Sequence, residues 1–209
     1  EVPVNSNVNW IIPAGLSKYP TLTASNGCHE LSLGAGAYVN LNGFTLGIGC
    51  NIYNSSGGQI LYNSSNTSTI NWDGALSAQY YYGTNTAGTC ELGSMTVNNS
   101  VAGTINITGG PVDIFSQLTL TKGNLVIGSS PASLTLKSTS TQTANVGAIP
   151  LGSSITGTVN AERFIKGSYP TDISKRGYRL MSSTVYTGTV GGNNVFDLSW
   201  LANGAIITG

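Results

Sequence analysis

Thr104-Ile105-Asn106-Ile107, Leu118-Thr119-Leu120, Asn124-Leu125-Val126-Ile127 and Leu134-Thr135-Leu136 follow one another closely, each carrying apolar residues two positions apart. Successive side chains of a strand point to opposite faces, so this spacing gives each run one apolar face. Runs of three or four residues are too short to form stable hairpins alone. Stacked as rungs of a parallel β-solenoid, each would bury its apolar face in a continuous column and pair its backbone with the rungs on either side. The same texture reaches back to Cys28 through Glu30-Leu31-Ser32-Leu33, Tyr38-Val39-Asn40-Leu41 and Phe44-Thr45-Leu46. An antiparallel sandwich of equally short strands has the same periodicity and stays open at this point.

Composition agrees with many short strands and tight turns. Of 209 residues, 98 are Gly, Ser, Thr or Asn, while 40% are hydrophobic and ten are tyrosines. Thr, Val, Ile and Tyr suit pleated strands, and Gly and Asn suit turns. Only 8% of residues are charged and the net charge is zero. A nucleic-acid binder needs clustered Lys and Arg, so that class is excluded. No stretch approaches the roughly 20 apolar residues of a membrane-spanning helix. Three cysteines without a CxxC pattern, beside a single histidine, His29, do not make a zinc site. Neither a metal nor an organic cofactor is expected.

The organisation read from this texture is all-β: a segment 1–27 acting as an N-terminal cap or exchanged strand, a β-solenoid over 28–144, and an antiparallel β-sandwich-like part over 145–209 that stops at Gly209 as if incomplete. In that last part, Ile155 to Ile165 and Tyr178 to Met181 read as longer antiparallel strands. Residues 54–90 interrupt the regular rungs and read as lateral loops or a wider rung. Cys28 and Cys50 are 22 positions apart, close to one coil of about 20 residues. Adjacent rungs lie about 4.8 Å apart, within the Cα separation a disulfide accepts, so a Cys28–Cys50 bridge is expected.

The run Leu134-Thr135-Leu136-Lys137-Ser138-Thr139, then Ala144-Asn145-Val146-Gly147-Ala148-Ile149, then Ile155 through Arg163-Phe164-Ile165, then Arg176-Gly177-Tyr178-Arg179-Leu180-Met181-Ser182-Ser183 resembles a module of very large Bacteroidetes cell-surface proteins. The resemblance covers about residues 118–200. It departs where Thr184 stands in place of the module's usual proline, and the C-terminal sorting domain of those proteins is not seen. It implies export by the type IX pathway, an extracellular or cell-surface location and an adhesin-like role, and it carries over no catalytic residue.

The functional expectation is a non-catalytic structural or adhesive surface protein, partnered by glycans, other surface proteins or copies of itself in a filament, with the Val2 to Ile12 stretch as a strand to donate. Tyr80-Tyr81-Tyr82 with Trp72 is the best candidate for stacking against sugar rings, weighed against a plain aromatic strand with alternate faces buried. Arg163, Arg176 and Arg179 are candidates for anionic glycan, weighed against cross-strand ion pairing. The alternative functions are a carbohydrate-binding module and a carbohydrate-active β-helix enzyme. The enzyme requires carboxylates to converge, and Asp73, Glu91 and Asp113, spaced 18 and 22 apart, are those that stacking would align. Cys28 beside His29 is a poor nucleophile pair because strand neighbours face opposite ways.

Overall fold

The computed structural model describes residues 7–63, 67–84 and 90–164, together with the backbone of 188–190 and 193–195. There is no helix among them, and every strand between Trp10 and Ala161 pairs in parallel. The chain winds as a parallel β-solenoid of about six turns, each turn laying one strand on each of three faces. The first face stacks Trp10–Ile12, Leu31–Leu33, Ile52–Asn54, Ala78–Gly83, Thr104–Ile107, Asn124–Ile127 and Ile155–Thr156. The second stacks Tyr38–Asn40, Gln59–Leu61, Ser133–Leu136 and Val159–Ala161 with the leading halves of two long strands, Cys90–Asn98 and Pro111–Lys122. The third stacks Asn26–Cys28, Thr45–Ile48, Thr69–Trp72, the trailing halves of the same two long strands, and Asn145–Val146. Those long strands turn the corner between faces without ending, through a register shift at Leu92/Ser94; a second shift, Val97/Asn98, falls at the far end of the pairing. Such irregularities bend a strand and spare it a loop.

Like stacks on like inside. Val39, Ile60, Cys90, Val112 and Leu134 form one column by register, and Leu46, Ile70, Met95 and Leu118 another. All nine are buried. Burial of such a side chain contributes about 1.5–3 kcal/mol, but only once a neighbouring coil covers it, so stability is shared along the stack.

The solenoid extends beyond the 28–144 range in both directions. Trp10–Ile12 is already a first-face strand with Trp10 and Ile12 buried, so the end of the Val2–Ile12 stretch belongs to the body of its own coil; residues 1–6 lie outside the described residues. At the other end, Ile155–Thr156 and Val159–Ala161 pair in parallel with the coil beneath, which corrects the antiparallel expectation there. Alternation is identical in parallel and antiparallel strands, and Pro150 marks only a long corner between Val146 and Ile155. The chain divides into two compact units after Phe164. Beyond it, the described backbone is one antiparallel pair, Gly188–Val190 with Asn193–Val195. The remainder of the expected sandwich, including Tyr178 to Met181, is outside the described residues.

Coil length explains the cysteines. Cys28 pairs in register with Ile48, a step of 20, so Cys50 falls beyond the corner. Cys28 and Cys90 are buried, Cys50 is half-buried, and all three are free thiols. The expected Cys28–Cys50 bridge is absent because the two residues occupy different places on successive coils. Burial pushes the Cys28 thiol up to about 12 and the Cys90 thiol higher still, which leaves both unreactive.

Candidate ligand-binding face

Alternation along Ala78–Gly83 sends Gln79 and Tyr81 inward and Tyr80 and Tyr82 outward. Tyr82 lies in register over Tyr53 of the preceding coil. The Tyr53 and Tyr82 rings stack with centroids 5.0 Å apart and planes 12° apart, and Tyr80 and Tyr82 stack at 5.2 Å and 13°. Parallel rings at such separations are slipped, the preferred arrangement of aromatic quadrupoles, so part of each face stays open. Tyr53 is 38% and Tyr82 39% exposed. Asn51 braces the row at its base: its side-chain oxygen accepts the Tyr80 backbone N–H at 2.9 Å, and its Nδ2 donates to the Tyr53 hydroxyl at 3.3 Å.

Two of the four residues expected to meet sugar are core residues. Trp72 is 2% exposed, stacked in register on Ile48 and beneath Val97. Tyr81 is 1% exposed, its hydroxyl accepting a hydrogen bond from Asn54 Nδ2 at 3.0 Å, and burial holds its pKa well above the ordinary phenol. Tyr53 takes their place. It had no signal in the sequence, because the coil widens from 21 residues, Leu31 to Ile52, to 29 residues, Ile52 to Tyr81.

The carboxylates divide. Glu91 and Asp113 are register partners on adjacent rungs of the second face. Asp73 stands apart, at the corner after Thr69–Trp72, where Asn71 Nδ2 donates to its carboxylate at 3.1 Å. Lys137 sits among the paired acids and forms an ion pair with Glu162 at 2.5 Å. Burial, then the Asp113 charge, push the Glu91 carboxyl upward, with Lys137 opposing. Burial likewise raises Asp113, opposed by Lys137 and a hydrogen bond from Thr135 and reinforced by Glu162. The folded protein therefore holds these protons more tightly than the unfolded chain, and stability falls as pH rises from the ordinary carboxylate range toward neutrality. Thermal unfolding followed by circular dichroism should give a higher midpoint near about pH 5 than at about pH 7. Asp113→Asn should raise the neutral midpoint and flatten that slope; a midpoint that climbs between those pH values would contradict the paired-carboxylate account.

Arg163 is exposed, its Nη1 donating to the Glu162 carbonyl at 2.8 Å. Arg176 and Arg179 lie outside the described residues. His29 is exposed in the bend that follows Asn26–Cys28, while Cys28 is buried at the strand's end. Among the described residues no group of three His, Cys, Asp or Glu side chains could hold a metal ion, and no helix is long and apolar enough to cross a membrane. No family model, curated protein or solved structure matches the chain. Chemically, the first face offers flat aromatic surface rimmed by phenol hydroxyls and an asparagine on a sheet held by parallel pairing above and below, an arrangement suited to binding a ring with one apolar face and polar edges.

Proposed function

We propose that the chain is a non-catalytic adhesive segment of an exported surface protein, whose solenoid presents the Tyr53–Tyr82–Tyr80 row to carbohydrate. The slipped, half-open tyrosine stack carries this reading. Sugar rings have an apolar C–H face and a polar rim, and aromatic faces are their natural counterpart. The rung-by-rung backbone pairing makes the stack rigid, so little ordering cost opposes binding. Scarce charge and an outer surface rich in Ser, Thr and Asn suit a stalk working outside the cell, in keeping with the resemblance to large Bacteroidetes surface proteins.

Tyr82 is the central ring, so its removal separates the other two. Tyr82→Ala should weaken binding to the preferred polysaccharide about tenfold, equivalent to about 1.4 kcal/mol, with an unchanged circular dichroism spectrum. Tyr19→Ala, at a tyrosine paired with Tyr38 away from this row, should bind as the parent does. Affinity electrophoresis across a panel of soluble polysaccharides measures both. A panel that retards nothing would sink the reading. Reducing-end release from the same panel, lost in Asp113→Asn, would replace it with the carbohydrate-active enzyme.

A further inference from the structure

A groove of about 470 Å³ runs along the corner between the third and first faces, lined by Asn7, His29, Asp73 and Leu76 over a floor of Gly49 and Gly74. Small-molecule sites typically enclose about 300–1,000 Å³. We propose that this groove is a second subsite for the saccharide chain held by the tyrosines, taking a neutral or amino-bearing sugar whose hydroxyl or amino groups donate to Asp73. The inference rests on the carbohydrate reading of the tyrosine row and adds where the chain continues and which sugars it tolerates.

Continuity comes from the backbone. Gly49 of the floor is followed by Cys50 and then by Asn51, the residue that anchors Tyr80 and Tyr53. The Cys50 carbonyl accepts a hydrogen bond from Gln79 Nε2 at 3.0 Å, and Gln79 is the immediate neighbour of Tyr80. A chain lying along the tyrosines therefore leaves the row at Asn51 and meets the groove next. The floor is built for close approach. A methyl group at Gly74 would stand 2.1 Å from the Gly49 carbonyl oxygen and 2.7 Å from Gln79 Nε2, so the two floor backbones are in contact and the buried Gln79 amide packs beneath them. Leu76, 39% exposed, forms an apolar wall for the C–H face of a ring.

Asp73 supplies direction. Asn71 Nδ2 donates to its Oδ2, and the carboxylate lies against Gly47, where a methyl group would come within 2.9 Å of the same oxygen. These contacts hold the carboxylate in place although the residue is exposed, and desolvation pushes its carboxyl pKa upward against the hydrogen bond from Asn71. Two hydroxyls on adjacent ring carbons, or an ammonium group, can both donate to such a carboxylate. Neither Lys nor Arg lines the groove, and Glu30 is near enough to raise the thiol pKa of Cys28 and Cys50 at the same corner. With His29 uncharged, the local field is negative, which favours neutral and amino sugars and opposes uronates and sulfated sugars.

The test is length dependence. Cello-oligosaccharides and partly deacetylated chito-oligosaccharides, from disaccharide to hexasaccharide, are titrated calorimetrically into the whole chain, with oligogalacturonates as the anionic counterpart. Affinity for the first two series should rise with length in the parent protein. Asp73→Asn keeps the shape of the side chain and the neighbouring Asn71, so it should leave disaccharide binding unchanged and remove about fivefold or more of the affinity for the hexasaccharide. Leu76→Ala should do the same, whereas Tyr82→Ala should weaken every length. Equal hexasaccharide binding by Asp73→Asn and the parent, with Tyr82→Ala still impaired, overturns the subsite and leaves the tyrosine row standing. Tighter binding of oligogalacturonates overturns the sugar preference. Silence from all three series overturns the tyrosine reading and the subsite with it.

Discussion

Replacing Asn99 with leucine is expected to cost about 4 kcal/mol of folding stability and to lower the midpoint of thermal unfolding by roughly 10 °C. Asn99 is completely buried and its side chain makes four hydrogen bonds. Its Nδ2 donates to the Leu76 carbonyl and to Gln79 Oε1, both at 2.8 Å, while its Oδ1 accepts the Val101 N–H at 3.1 Å and the Gly103 N–H at 2.8 Å. Gln79, also fully buried, passes the connection on by donating to the carbonyls of Ile48 and Cys50 at 3.0 Å each. Two amides thereby tie together the same corner on three successive coils. Leucine matches the shape of asparagine and none of its polarity, so it would strand two acceptors and two donors at once. Each stranded group costs about 1–3 kcal/mol, and water reaching the exposed neighbours Leu76 and Val101 recovers part of the sum. Asn98 provides the control. It is the adjacent, exposed residue, and Asn98→Leu should change stability by less than about 0.5 kcal/mol. Urea unfolding of both variants measures the difference, and a loss under about 1 kcal/mol for Asn99→Leu would mean that the corner holds without its amides.

Residues 98 and 99 also show what the sequence does and does not disclose. Two consecutive asparagines after Met95-Thr96-Val97 look like the polar start of a turn; spacing by two from Met95 and Val97 sets Asn99 inward and Asn98 outward, but nothing in the residue's identity reveals the partners that satisfy it there. The apolar columns are different. Leu31 and Leu33, Ile105 and Ile107, and Leu134 and Leu136 all point inward, as spacing by two requires. Parity also decides Trp72: in Thr69-Ile70-Asn71-Trp72 it shares a face with Ile70, which places it in the core. The same reasoning fails for Tyr80-Tyr81-Tyr82, where three identical residues carry no parity and the frame comes only from pairing with Ile52, Tyr53 and Asn54. Strand direction is equally hidden, since alternation is common to parallel and antiparallel ladders. That is why the solenoid could be read from 28 to 144 but not from Trp10 to Ala161. Coil length is the third gap. The cysteine spacing of 22 resembled one coil, yet Cys28 sits over Ile48, and a difference of two residues carries Cys50 past the corner. The pairing of Tyr53 with Tyr82 on the binding face depends on coil lengths that loops of unequal size set one by one, whereas the 22-residue spacing of Glu91 and Asp113 matches one coil and puts them in register on the second face.

Gly74→Ala should be the most damaging single methyl group that can be added at this corner, costing about 3 kcal/mol or more. Gly74 is buried, and the new carbon would stand 2.1 Å from the Gly49 carbonyl oxygen, 2.8 Å from the Gly49 carbonyl carbon and 2.7 Å from Gln79 Nε2. Neither side can yield cheaply. The Gly49 N–H is committed to the Cys28 carbonyl on the coil beneath at 2.9 Å, and the Gly74 carbonyl accepts the Ser100 N–H from the coil above at 2.9 Å. Relieving the overlap means spreading two coils or expelling Gln79 from the carbonyls of Ile48 and Cys50. Gly36→Ala separates this crowding from backbone strain. Gly36 has φ +68° and nothing within 4 Å of the position a methyl would take, so its cost is the left-handed conformation alone, about 1–2 kcal/mol. Thermal unfolding of the two variants should therefore rank Gly74→Ala as the less stable, and the reverse order would show that turn conformation, rather than contact between coils, limits this solenoid. Because Gly74→Ala and Asn99→Leu both act through Gln79, their combination should cost less than the sum of the two. A strictly additive double variant would place the methyl overlap and the amide chain in separate structural units, against a corner in which each coil is held by the same two side-chain amides.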